Sequence, residues 1–380
     1  MSQMISFRSA LAACALAASV SACGGEDGAG IATNASGPPV FGEPIDVAPS
    51  EQWQWVPIEG TVCADGTEAG VGVNFTARSR ELVIFFQGNG VCYDLASCTL
   101  FQSLLVGMGP DPLDHMWWGD KNTGHTGIFD RADPANPFRD NNFVVFPHCG
   151  VDGHTADKES TYPPLNTVQQ RGYANVTVAM QRIVPTFRDA TRIVVAGFSA
   201  GGIGAGANYH QIAAAFAAVE QPPPFLIDDA GPVLRPPYAG PLARESLRTG
   251  WGLDKTIEAW CPRCADEGYH VVMQTIAELH PGARVSVVSS YADSVATPLY
   301  GLLNADVTFN GSRFEEGLRD LSAWTATYQG AIAPSAQRVF YYPGARHGAL
   351  VVAPLAVTPG LAAFLTAQLD GDPAWATVEP

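Results

Sequence analysis

Short apolar runs, each closed by a turn rich in Gly or Asp, recur along the chain from residue 51 onward. ELVIFFQGNG (81–90), NNFVVFPHCG (141–150), TRIVVAGFSAGG (191–202), PFLIDDAGP (224–232), ARVSVVSSYADS (283–294) and QRVFYYPGARHG (337–348) share this form. Runs such as LVIFF and RIVVA are apolar on both faces, the pattern of central strands in a sheet covered on both sides. Helix-compatible stretches lie between them at 166–187, 200–219, 269–280, 313–329 and 360–369. Strands alternating with helices predict an α/β architecture, a mostly parallel central sheet with helices on both faces. Ligands of such sheets bind beyond the carboxyl ends of the strands. That is where the runs place Asn89, Asp152, Ser199, Asp229, Asp293 and His347.

The first fifty residues read differently. Residues 1–22 carry one positive charge, Arg8, and an apolar run too short to span a bilayer as a helix; the run ends in VSAC at 20–23. This resembles a bacterial lipoprotein signal, with Cys23 as the lipidated first residue of the mature protein. An ordinary signal peptide cleaved after Ala22 or nearby is the alternative. Residues 24–50 are rich in Gly, Pro and small side chains, so 23–50 reads as a lipidated cysteine and flexible tether. The expectation is an exported protein held at a membrane by its lipid, the outer one if the host has two, or secreted. Residues 51–380 then form one catalytic domain, and 47% hydrophobic residues suffice for its core. A formal net charge of −16 argues against nucleic acid as a partner.

The glycines around Ser199 point to chemistry. GFSAG at 197–201 matches G-x-S-x-G, the nucleophile elbow of α/β-hydrolases, in which a strand turns abruptly into a helix. Side chains two positions before and after the serine would collide in so tight a turn, and Gly197 and Gly201 remove them. A serine hydroxyl needs a base to take its proton and an acid to orient that base, in the chain order Ser…Asp/Glu…His. His210 lies three helical turns beyond Ser199, too far to reach it. His270 and His280 fall in or at the end of a helix and read as surface groups. His347, on a loop flanked by Gly344 and Gly348 after a late strand, is the base that position and order select. Asp293 ends the penultimate strand and is the acid; Asp228 and Asp229 rank second, as groups that shape the pocket floor or cap a turn. For the oxyanion, one donor is the backbone N–H of Ala200. The Gly-rich turn at 85–94 offers the amides of Gly90 and Val91, with Asn89 a further candidate.

No metal or organic cofactor is required by this chemistry. His115, His125, His148 and His154 with Asp152 could suggest a metal site, but their spacings fit no ligand signature. Cys14 and Cys23 belong to the leader. The other six, Cys63, Cys92, Cys98, Cys149, Cys261 and Cys264, are an even number in an exported protein and suggest disulfides. CPRC at 261–264 has no second CxxC or His pair near it, so it reads as a local disulfide rather than half a zinc site.

Taken in order, the motifs resemble the pectin acetylesterase/Notum family of α/β-hydrolases from about residue 55 to 350. VCADGT (62–67) is similar to that family's Cys-Leu-Asp-Gly opening, and QGNGVC (87–92) to its Gly-Gly-Gly-Trp-Cys oxyanion loop. Residues 125–157 parallel a stretch ending in Tyr-Cys and an Asp. GFSAGG (197–202) resembles Gly-Cys-Ser-Ala-Gly-Gly, DAG (229–231) matches directly, SYADS (290–294) resembles the acid-bearing turn, and RHG (346–348) holds the histidine. The resemblance implies Ser199, Asp293 and His347 as the triad and Gly90, Val91 and Ala200 as the oxyanion hole. It implies an extracellular serine carboxylesterase that removes acyl groups, acetyl first, from a polysaccharide or related ester. The chain departs from the family at Phe198 and Arg346, where cysteines are usual, and at Val91, where tryptophan is. Alongside it we expect disulfides Cys92–Cys98, Cys261–Cys264 and Cys63–Cys149, although pairing does not follow from sequence. Other readings of the scaffold are a polyester depolymerase, lipase or peptidase, or a non-catalytic glycan-binding lipoprotein. Asp111, Asp114 and Asp120 with Trp117 and Trp118 could line a sugar cleft or simply form a surface loop, and residues 101–135 are the stretch expected to supply any lid.

Overall fold

A computed structural model describes residues 40–46, 48–116, 123–329 and 337–380. Ten strands are present among them: β1 (Gln54–Val62), β2 (Glu68–Asn74), β3 (Leu82–Phe86), β4 (Asn142–Phe146), β5 (Lys158–Thr161), β6 (Thr167–Gln170), β7 (Ile193–Phe198), β8 (Phe225–Asp229), β9 (Val285–Ser290) and β10 (Gln337–Tyr342). Eight of them form one sheet in the order β1-β2-β4-β3-β7-β8-β9-β10, while β5 and β6 make a separate hairpin. The run from β4 to β10 is parallel throughout, and β1 and β2 add an antiparallel edge.

Helices in chain order are α1 (Leu95–Leu100), α2 (Pro112–Met116), α3 (Gly172–Thr186), α4 (Ala200–Ala217), α5 (Pro241–Trp251), α6 (Ile257–Trp260), α7 (Arg263–Glu267), α8 (Val272–Leu279), α9 (Ala296–Asn304), α10 (Gly311–Gln329) and α11 (Leu361–Leu369). The all-apolar strands explain the layering. Alternate side chains of β3 go to opposite faces: Leu82, Ile84 and Phe86 join the core under α3, α4 and α8, while Val83 and Phe85 join the one under α11. With both faces of β3 and β7 buried, period-two alternation has nothing to mark, and the runs read as continuous.

Six predicted strands and four of the five helices appear within a few residues of their expected positions. The fifth differs at its start: residues 167–170 are strand β6, paired antiparallel with β5, and the helix begins only at Gly172. TVQQ there is half-buried in alternation, which favours a strand. Part of the stretch expected as a tether, 23–50, is docked instead. Ile45 is buried, its N–H donates to Thr186 Oγ1 at 2.7 Å, and Gly42 N–H donates to Gln181 O at 3.0 Å, so the chain docks on α3 from about Phe41. Its apolar Phe41 and Ile45, set among Gly and Pro, supply the packing. Cys23 and residues 24–39 lie outside the described residues.

All three expected disulfides are present. Cys63–Cys149 ties the turn after β1 to the end of β4, Cys92–Cys98 ties the loop after β3 to α1, and Cys261–Cys264 links α6 to α7. The first two flank the carboxyl ends of β3 and β4, where the polar residues converge.

Candidate active site

Ser199 sits where β7 becomes α4, with φ 58° and ψ −124°. A non-glycine residue at positive φ is held there only by its surroundings. Here Ser199 N–H donates to Asp229 O at 2.7 Å, and Ser199 O accepts from Gly202 N–H at 2.8 Å. A Cβ on Gly197 would stand 1.9 Å from Gly201 O, and one on Gly201 would stand 2.0 Å from Phe86 O. The elbow is closed by contact between backbones, which is why its flanking residues have no side chains.

His347 and Asp293 arrive from the loops after β10 and β9. His347 Nε2 lies 2.7 Å from Ser199 Oγ, and His347 Nδ1 lies 2.9 Å from both Asp293 oxygens. Asp293 is fully buried, and its Oδ1 also accepts from the N–H groups of Val295 (2.9 Å) and Ala296 (2.8 Å) at the start of α9. Those donors fix the carboxylate, so the carboxylate fixes the ring. The imidazole also packs on Phe198 at 4.9 Å between ring centroids. The Phe198 ring thus buttresses the histidine.

The two adjacent acids of β8 have separate roles, because successive side chains on a strand face opposite ways. Asp228 caps its own turn by accepting from Gly231 N–H at 2.9 Å. Asp229 accepts from the N–H groups of Ala349 (2.9 Å) and Leu350 (2.8 Å), pinning the segment directly after His347. Neither touches the imidazole edge that Asp293 holds. Burial pushes Asp229 up to about 6 against its two amide bonds. Asp229→Asn retains one acceptor and loses the other, so kcat should fall about 10- to 100-fold with KM within twofold. The raised carboxyl contributes stability that is complete below its ordinary value of 3.8 and is lost as pH rises through about 6. The asparagine variant lacks this titration, so its urea midpoint should gain on the parent's between pH 4 and pH 7. An unchanged kcat would remove Asp229 from the positioning of His347.

The loop after β3 passes beside Ser199. Gly90 and Val91 lie on it as expected, with Ala200 opposite at the head of α4, and all three line the same cavity as Ser199. The Gly90 N–H is directed to the side-chain oxygen of its neighbour Asn89 at 2.9 Å. The cavity measures about 680 Å³ and is walled by apolar residues, among them Ile203, Leu247, Trp251, Ile257 and Leu299. Leu247, Trp251, Ile257 and Leu299 of this wall come from α5, α6 and α9, elements absent from the sequence-based expectation. Of the segment 101–135, only Phe101 lines the cavity among the described residues. Ile128 and Phe129 are instead buried in the core under α11. Asp111 and Asp114 are not part of the cavity wall, and Trp117, Trp118 and Asp120 lie outside the described residues.

The remaining histidines separate clearly. His210 Nδ1 meets His280 Nε2 at 3.0 Å, away from Ser199. His270, expected at the surface, is buried in the cavity wall against Trp324, and burial pushes it down to about 4. The tight turn at 269–271 that precedes α8 carries it inward. The rings of His148 and His154 lie 4.7 Å apart, tilted by 32°, in the interior. No group of three or more His, Cys, Asp or Glu side chains gathers as a metal would require among the described residues.

Comparison with known proteins bears on this geometry. The family model described as Pectinacetylesterase matches residues 54–222, a span that runs from β1 through the oxyanion-type loop and the serine elbow to the end of α4. The palmitoleoyl-protein carboxylesterase notum2 of Xenopus laevis is 29% identical over 163 residues, which cover 40% of this chain and 30% of that protein. Over residues 54–222, then, the chain is similar to the pectin acetylesterase/Notum family. Its α/β-hydrolase fold is shared with the Wnt deacylase Notum from Drosophila in two crystal forms. The TM-scores are 0.58 and 0.57 at 19% and 17% identity, covering 78% and 80% of this chain and 86% and 87% of Notum. The match to notum2 spans less than a third of that relative's length. On this shared fold the chain sets Ser199, His347 and Asp293 against an apolar chamber of about 680 Å³.

Proposed function

We propose that this protein is a serine carboxylesterase that hydrolyses esters of long or bulky apolar acyl groups. The observation that carries the reading is the apolar cavity of about 680 Å³ that opens directly on Ser199. A cavity of roughly 150 Å³ already holds a benzene ring, so an acetyl group would leave most of this chamber empty. Apolar walls reward each methylene and offer a sugar ring few partners. The name of the Xenopus laevis relative, a palmitoleoyl-protein carboxylesterase, agrees with a long acyl chain.

Ser199 Oγ attacks the ester carbonyl carbon while its proton passes to His347 Nε2, and Asp293 faces the imidazolium that forms. The amides of Ala200 and Val91 receive the negative oxygen, joined by Gly90 on release from Asn89. The bond to the alcohol oxygen breaks as His347 returns the proton to it. Water then gives a proton to His347 and attacks the acyl-serine, releasing the carboxylic acid and regenerating the hydroxyl. The proposal includes export and lipid attachment at Cys23. Three disulfides and the VSAC leader support an oxidising compartment.

A series of p-nitrophenyl esters from acetate to laurate tests the reading. At about 0.8 kcal/mol per buried methylene, kcat/KM should rise roughly fourfold per carbon over the first several additions. A profile that peaks at acetate, together with acetate release from acetylated pectin, would overturn the long-acyl reading in favour of polysaccharide deacetylation.

A further inference from the structure

The buried segment PHCGVDGHTA at 147–156 contains two histidines and an aspartate that the proposed reaction does not use. His154 Nε2 lies 2.8 Å from Gln87 O, the carbonyl directly before the oxyanion-type loop. A carbonyl can only accept, so Nε2 carries the proton and donates. His154 O accepts from Asn208 Nδ2 at 2.8 Å, and Asn208 stands on α4, the helix that begins at Ser199. One residue therefore grips both halves of the region where an oxyanion would sit. The grip is close. A Cβ on Gly204 of α4 would lie 2.9 Å from His154 Cβ and Cδ2, while one on Gly88 would lie 2.2 Å from Phe198 O and 2.6 Å from Ser199 Cβ. The peptide between Gln87 and Gly88 is thus clamped by His154 on one side and the serine elbow on the other.

The surroundings keep His154 in this role. It has φ 56° and is almost fully buried, tilted against His148 at 4.7 Å and edge-on to Phe86 at 5.1 Å. Its own N–H donates to Asp152 Oδ1 at 3.0 Å, and Asp152 Oδ2 accepts from Gly172 N–H at 2.7 Å, anchoring the segment to α3. His148 Nε2 accepts from Gly153 N–H at 2.7 Å, fixing the peptide just before His154. Burial lowers His154 to about 4, so at neutral pH the ring is uncharged and presents the single Nε2–H that Gln87 O requires. A solely space-filling residue would need neither this tautomer nor these two hydrogen bonds.

We propose that His154 is a positioning residue that sets the register between the 88–91 loop amides and the Ala200 amide, through its Nε2–H on Gln87 O and its carbonyl on Asn208. The inference rests on the serine-esterase reading of the site. A shift of about 1 Å in such donors costs on the order of 100-fold in rate.

The test compares His154→Gln with His154→Met, similar in length and differing in the N–H donor. Each is assayed in the full chain for phosphonylation of Ser199 by a small alkyl fluorophosphonate and for ester turnover. Tm is measured alongside. Phosphonylation needs the nucleophile and the oxyanion donors but no natural substrate. Expected is a 10- to 100-fold slower labelling and lower kcat for the Met variant, KM within twofold, and recovery to within about fivefold of the parent by Gln. Parental rates in the Met variant overturn the proposal. So do equal losses in both variants, which would assign His154 to packing. Should the Met variant not fold, His154→Phe retains the ring shape without the donor and is judged by the same rates. Failure of the parent itself to label at Ser199 would remove the serine-esterase reading and this inference with it, and the parent alone reveals that case.

Discussion

Ser199→Ala should lower kcat by about 10⁴-fold or more on any ester the parent hydrolyses, with the protein still folded. Alanine removes only Oγ, and the conformation at φ 58° is imposed by backbone contacts at Gly197 and Gly201, which the substitution leaves in place. His347→Ala should match it, because a hydroxyl without a base at 2.7 Å is no better than no hydroxyl. The double variant should lose no more than either single one, the signature of groups that act as a unit. Asp293→Asn should cost about 10³- to 10⁴-fold by favouring the wrong tautomer of His347. Because Asp293 also accepts the two amides that open α9, a thermal melt must accompany that measurement. Steady-state rates within tenfold of the parent for Ser199→Ala would mean that the nucleophile is elsewhere.

Ile203→Trp should reverse the chain-length preference. Ile203 stands one helical turn beyond the nucleophile, its N–H 3.3 Å from Ser199 O, and its side chain lines the chamber. An indole there fills the space nearest the reacting carbonyl while leaving room for two carbons. Laurate turnover should fall about 100-fold relative to the parent and acetate turnover should stay within about threefold. The small fluorophosphonate should still label Ser199 at the parental rate. Equal losses at every chain length would point to a displaced elbow, and no loss at any length would mean that acyl chains do not enter this cavity.

The parts of this protein that were legible in its sequence are those whose chemistry is local. LVIFF and RIVVA could only be doubly covered strands, the glycines around Ser199 could only serve a closed turn, and a histidine on a loop after the last strand could be placed by chain order. The chamber was not legible. Leu247, Trp251, Ile257 and Leu299 have the apolar character of ordinary core residues, and periodicity does not say whether the space they face is filled. The sequence offered instead the acidic, Trp-containing stretch 111–120 as either a sugar cleft or a plain surface loop, and its Asp111 and Asp114 are not part of the cavity wall. Asp228 and Asp229 were indistinguishable as neighbours until strand alternation sent one to its own turn and the other to the histidine loop. The edge strand β1 was obscured by Pro57, which the sheet accommodates beside an irregularity in pairing. Cys261–Cys264 was legible in its CPRC spacing, whereas spacing left the pairing of Cys63, Cys92, Cys98 and Cys149 open.

The glycine-lined start of α4 also decides how the protein can be engineered. Replacing helical glycine by alanine is a routine way to raise thermal tolerance, worth about 0.8–1 kcal/mol per site. At Gly201, Gly202 and Gly204 the added methyl would meet Phe86 O at 2.0 Å, Asp228 Oδ1 at 2.1 Å and His154 at 2.9 Å. Each of those neighbours is buried and tied to the site, so the helix cannot be hardened without displacing what it holds. Gly206 is different, because its nearest neighbour is the mobile methyl end of Met273 at 3.2 Å. A heat-tolerant version of this scaffold should therefore be sought from Gly206 onward and on the outer helices, with the first turns of α4 left as they are.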